Sequence, residues 1–209
     1  MLFRSARALF EASHKEEAFS IAEKGLSLPY TRELAVWLRE VALEAGDRRR
    51  TLLASKVAII ASPVLDEYKA LETLSEGEWF PLREEIIADV ASSASSYNPQ
   101  GQIDILLYES LWSKALGVIE NIWDSSLVSR TVNKLLSHIP ANVIPLCKKR
   151  AEAIMDAGQS ARYEEAASWV SKSRDAYLLA QREVEWKEYK AYLLALHGKK
   201  YKQIGRAHV

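Results

Sequence analysis

Three kinds of residue in this chain could take part in chemistry: adjacent carboxylates, one thiol and four histidines. The carboxylates Glu16-Glu17, Glu84-Glu85 and Glu164-Glu165 are the natural candidates for an acid–base enzyme. Neighbours on a helix point about 100° apart, so no pair converges on one substrate atom without help from another element. Cys147 is followed by Lys148, Lys149 and Arg150, cations that lower the pKa of an accessible thiol. A free cysteine more commonly behaves as a small buried hydrophobe, and burial is the expectation. His14, His138, His197 and His208 lack ligand spacing, and a structural or solvent role is expected for each. The triplets Arg48-Arg49-Arg50 and Lys148-Lys149-Arg150 could touch phosphate, but acids balance them over the chain and solvated helix ends are the simpler reading. There is no Gly-rich phosphate loop, His-Glu-x-x-His helix or calcium loop. The expectation is a chain that is not an enzyme and carries no catalytic, cofactor-binding or metal-ligating residue.

Any such groups would have to be positioned by helices. Leu34, Leu38, Val41 and Ala45 fall at i, i+4, i+7 and i+11, and Trp79, Leu82, Ile86 and Val90 at i, i+3, i+7 and i+11. The alternation of Ile103, Ile105 and Leu107 is too brief for a strand, and Leu106 and Leu111 fit a helix better. Breaks are expected from Gly25 to Pro29, at Gly46-Asp47, and at Ser62-Pro63, where a capping hydroxyl precedes a proline at the first helical position. Short links of about two to six residues favour helical hairpins. Pro140 and Pro145 should not both sit deep in one helix, so a restart at Asn142 is expected. The expected architecture is all-α, a stack of antiparallel helical hairpins of the tetratricopeptide-like α-solenoid kind. Hairpins are expected over residues 1–91, a Ser-rich loop over 92–101, and further hairpins of the same stack over 102–202.

Composition narrows the partners. The 28 Lys+Arg and 28 Asp+Glu cancel, so the overall basic excess that suits nucleic acid or an anionic membrane is missing. A compact chain of 209 residues can bury roughly 70% of its unfolded surface. A single cysteine allows no internal disulfide and no Cys-pair zinc site, and suits a reducing compartment, so a cytoplasmic location is expected. The N-terminal residues are too polar for a signal peptide, and no run approaches the ~20 apolar residues of a membrane span. Met1 leads straight into an amphipathic pattern, which suggests a start upstream. Residues 203–209, Gln-Ile-Gly-Arg-Ala-His-Val, break that pattern and read as the translation of a sequencing-adapter oligonucleotide, hence as an artefact. Six tryptophans, at 37, 79, 112, 123, 169 and 186, are many for a helical protein. Trp37, Trp79 and Trp186 lie on apolar stripes and are expected to pack rather than bind.

The segment from Ala8 through Glu16-Glu17-Ala18 to Leu28-Pro29 resembles a tetratricopeptide unit, with small residues where two helices cross and a closing proline. Pro63 follows Pro29, and Gly46 follows Ala12, by 34 positions, the period of that repeat. Tyr163-Glu164-Glu165-Ala166-Ala167 returns to the theme, while the middle of the chain keeps no strict period. With Leu34 to Glu40, the Trp79 to Ile87 run and Glu185-Trp186-Lys187-Glu188-Tyr189, this order resembles the helical region C-terminal to the finger in bacterial SWIM zinc-finger family proteins. The resemblance spans most of Ala6 to Tyr201. It implies a non-enzymatic interaction scaffold with a protein partner and no membrane. It also implies zinc for the full-length protein only, with nucleic acid reached only through the finger. The family's Cys-x-Cys and Cys-x-His ligands have no counterpart here, so no metal ligand carries over. The alternative expectation is a free-standing tetratricopeptide-like adaptor that holds a peptide in its concave face.

Overall fold

The 3.6-residue apolar period becomes helix throughout the computed structural model, which describes residues 2–28, 31–92, 98–158 and 160–204. Among these residues the protein is all-α, with no strand. The helices are α1 (Leu2–Glu11), α2 (Lys15–Gly25), α3 (Arg32–Glu44), α4 (Arg48–Ala61), α5 (Leu65–Ser75), α6 (Trp79–Ser92), α7 (Pro99–Tyr108), α8 (Trp112–Glu120), α9 (Ser125–Leu135), α10 (Pro140–Asp156), α11 (Tyr163–Leu179) and α12 (Glu183–Ile204). They form two compact units, Met1–Leu111 and Trp112–Val209.

In the first unit α1 pairs with α2 and α3 with α4, and α2 also touches α3. Helix α4 then carries α5 and α6, on both of which α7 packs. The α1–α4 core is built from small residues beneath larger ones: Ala6, Ala22, Ala35, Ala54 and Ala58 are fully buried around Phe19, Leu34 and Leu38. Small side chains let helix axes approach, so the larger ones interlock between them. In the second unit α8 pairs with α9, α10 lies on both, and α11 packs against α10 and α12. Its core centres on Val132, Leu135, Cys147, Met155 and Trp169.

Helix ends follow local chemistry. Asp47 caps α4 by accepting from Arg50 N–H at 3.0 Å, Asn98 caps α7 through Gly101 N–H at 3.1 Å, and Asp124 caps α9. Among the described residues, the C-termini of α1, α3, α7 and α11 close with the paired backbone bonds of a Schellman turn. After α3, Asp47 N donates to Ala42 O and Gly46 N to Leu43 O, with Gly46 at φ +70°. The same pattern follows α1, α7 and α11, where Ser13, Ser110 and Gln181 take the positive φ instead.

Several expectations change. Ser62 and Pro63 do not start α5; they form the link, and the helix opens at Leu65 after an extended Val64. The loop expected over 92–101 is helical at both edges, since α6 includes Ser92 and α7 begins at Pro99; residues 93–97 lie outside those described. The division between units falls after Leu111 rather than in that stretch. Pro140 and Pro145 share α10 without a restart at Asn142. Pro140 occupies the first turn, where no N–H is missed, so only Pro145 lacks a helical donor. Helix α12 runs on through Gln203 and Ile204, bent at His197 (φ −121°, ψ 15°), and the remainder of the suspected artefact, 205–209, is outside the described residues.

Candidate functional site

The residues with reactive chemistry are spread apart, and one carboxylate of each adjacent pair, or both, is occupied. Glu16 pairs with Arg50 at 3.0 Å, and Glu85 with Lys56 at 2.6 Å. Glu84 pairs with Arg83 at 2.5 Å, and Glu165 with Arg162 at 2.8 Å. Glu165 also accepts from Ser125 Oγ, and its carboxyl is held down at about 2, chiefly by the Arg162 hydrogen bond. Cys147 is fully buried, and desolvation pushes its thiol up to about 12, which leaves it a packing residue rather than a nucleophile. His138 stacks on Trp112 at 3.8 Å, buried His197 faces Asp156 at 3.3 Å, His14 is exposed before α2, and His208 lies outside the described residues.

Five of the six residues in the basic triplets are likewise engaged. Arg50 meets Glu16, Glu23 and Asp47 and lies 4.6 Å from the centre of the Phe19 ring. Arg49 pairs with Glu23, and Arg48 donates to the Ser75 carbonyl. Arg150 donates to the Ile122 carbonyl, and the Lys148 ammonium sits 4.3 Å from the centre of the Tyr189 ring. Among the described residues no group of three or more His, Cys, Asp or Glu could hold a metal ion. The described residues therefore offer no donor set that fits the zinc implied by the SWIM resemblance. No helix among them is long and apolar enough to cross a membrane.

The tryptophans divide by environment. Trp169 and Trp186 are buried, and Trp79 is half-buried with its edge to Tyr68 at 5.0 Å. Trp123, in the link before α9, is 95% exposed. Trp37 is half-buried between the rings of Phe3 (6.0 Å) and Phe10 (5.7 Å), so it packs as expected but also borders an opening.

That opening is an open groove of about 1270 Å³ in the first unit. Phe3 and Arg7 of α1 form one side, Val57, Ile60 and Ala61 of α4 the other, and Leu26 and Leu28 close one end. Between them lies the outer face of α3, Glu33, Val36, Trp37 and Glu40, at i, i+3, i+4 and i+7. Helix α3 thus carries apolar side chains outside its buried face. Leu34, Ala35, Leu38, Val41 and Ala42 are buried, while Val36 and Trp37 stay half-exposed with an exposed glutamate at either side. The periodicity that identified the buried face conceals this exposure.

Hydrogen bonds and ion pairs tie the start of α3 to α4 and α5 beside the groove. Arg32, at the start of α3, donates to the Ala58 and Ser62 carbonyls at 2.8 and 3.0 Å, capping the end of α4. It also forms a two-pronged bond to Glu67 of α5 at 3.1 and 3.2 Å, and Arg39 reaches the same carboxylate at 3.3 Å. No family model, curated protein or solved structure matches this chain.

Proposed function

We propose that this chain is a non-enzymatic helical scaffold that docks a protein partner in the α1–α3–α4 groove. The observation that carries the reading is the groove itself. A soluble fold rarely leaves a broad apolar trough open unless something lies in it, and here Phe3, Leu28, Val36, Trp37, Val57 and Ile60 line one. Its size and openness suit the side chains of a polypeptide segment better than an enclosed small ligand. In the wider arrangement that the SWIM resemblance implies, the zinc ligands would come from outside this chain. A gene without Cys-x-Cys and Cys-x-His coding would remove that context and leave the free-standing adaptor.

The test is site-specific photo-crosslinking in extract of the source cells. A benzoylphenylalanine in place of Ile60 should give a discrete protein adduct, and filling the groove with Val36→Arg should abolish it. The same probe at exposed Lys134, on α9 of the other unit, is the control. Equal adducts from both positions, or none from position 60, would refute the reading.

A further inference from the structure

The charges around the groove restrict what it can hold. Its arginines are already engaged: Arg32 is bound by two carbonyls and Glu67, and Arg7 pairs with Glu11 at 3.0 Å. Glu33 and Glu40 are different, because both are exposed and neither has a hydrogen-bond or ion-pair partner among the described residues. They stand seven residues apart on α3, about 10.5 Å along its axis at 1.5 Å per residue, with Val36 and Trp37 between them. An apolar segment laid over Val36 and Trp37 would strip water from both carboxylates and return nothing, which is costly for charged groups. A segment with a cation at each end of its apolar stripe would replace that water with two ion pairs.

We infer that the groove takes an amphipathic helix bearing two Lys or Arg residues seven apart on either side of a large apolar side chain. The spacing selects the helix. Seven residues of helix reproduce the distance between Glu33 and Glu40, whereas an extended strand places side chains on one face about 6.7 or 13 Å apart. The charge selects against acidic partners, which would bring like charges together at both ends of the trough. This inference rests on the docking role proposed above and adds the chemistry of the partner.

Three labelled 15-residue peptides with one leucine stripe and a pair of Lys, Gln or Glu residues seven apart test it, by fluorescence anisotropy against the full chain. The Lys peptide should bind about tenfold more tightly than the Gln peptide, as expected for two rim ion pairs, and the Glu peptide more weakly than either. In a Glu33→Gln/Glu40→Gln chain the three should converge, with the circular dichroism melt unchanged because both residues are exposed, and Val36→Arg should abolish binding. Equal affinities, a Lys preference that survives the double substitution, binding insensitive to Val36→Arg, or no binding at all would each overturn the inference. The crosslink from position 60 reads the docking role separately: an adduct with no Lys preference leaves the groove standing and removes only this choice of partner.

Discussion

At Gly101 the first turn of α7 comes so close to the α4–α5 link that a β-carbon would lie 1.9 Å from the Pro63 carbonyl oxygen and 2.7 Å from its carbon. Asn98 locks the approach, donating from Nδ2 to that same carbonyl at 2.7 Å while its Oδ1 accepts from Gly101 N–H. A methyl there meets backbone rather than a movable side-chain tip. Gly101→Ala should therefore cost about 1–3 kcal/mol, the usual toll of overpacking, read as a lower urea midpoint with unchanged slope. Gly117, exposed in α8 with nothing within 4 Å of its would-be β-carbon, is the natural control. Gly117→Ala should raise stability by about 0.5–1 kcal/mol, by helix propensity and a less free unfolded chain. The same residues explain one misreading. Asn98-Pro99 is a sound N-cap and first-turn pair, but the serines before it dominate the local composition and make the stretch look like loop.

Between elements, α5, α6 and α7 meet at one carboxylate. Glu109, just past α7, accepts from Tyr68 of α5 at 2.8 Å and from Arg83 of α6 at 2.6 Å. Burial, followed by the Glu109 bond, pushes the Tyr68 hydroxyl's pKa up, so it remains a donor. With Tyr68 fully buried and the Glu109 side chain 9% exposed, a lost partner is not easily replaced by water. Tyr68→Phe should cost about 1–2 kcal/mol, and Glu109→Gln about 2–3 kcal/mol because it removes the buried one of Arg83's two carboxylate partners and leaves only exposed Glu84. The double variant should fall short of the sum by at least about 0.5 kcal/mol; strict additivity in a denaturant cycle would show that the three side chains do not act together. How far such elements could be read beforehand depended on what ended them. Gly46 announced the end of α3, whereas Ser13, Ser110 and Gln181 adopt the same positive φ without a glycine to mark it. Nothing in the residues marks the break after Tyr108, although Leu106 makes the helix over Ile103–Leu107 legible. The groove was less legible still. Trp37 read as a core residue from the stripe Leu34, Leu38 and Val41, and only the placement of α1 and α4 beside α3 leaves Val36 and Trp37 bordering open space.

Over the whole molecule the charges cancel in number, yet their placement makes stability depend on pH at both extremes. On the acid side, Asp47 and Asp124 are lowered first by backbone N–H donors, from Arg50 and Leu127, and Glu165 and Glu185 first by the guanidiniums of Arg162 and Arg182. A carboxylate whose folded pKa is depressed stabilises fully above its unfolded value, and that contribution disappears as pH falls through the folded one. For Glu165 the window runs from 4.5 down to about 2, and Glu165→Gln should flatten the melting-temperature profile there. On the alkaline side the sign reverses. The Cys147 thiol is raised by burial from 9.0 to about 12, so the unfolded chain loses its proton first and stability declines as pH rises from 9 through 12. Tyr68 and Tyr189 are raised too, each first by burial, but from 10.0, which leaves pH 9 to 10 mainly to the thiol. Cys147→Ala should therefore lower stability at neutral pH through the cavity it leaves, yet lose less than the parent chain between pH 9 and 10. An undiminished slope in that window would mean that the thiol is open to solvent on unfolding and folding alike, and that α10 does not bury it.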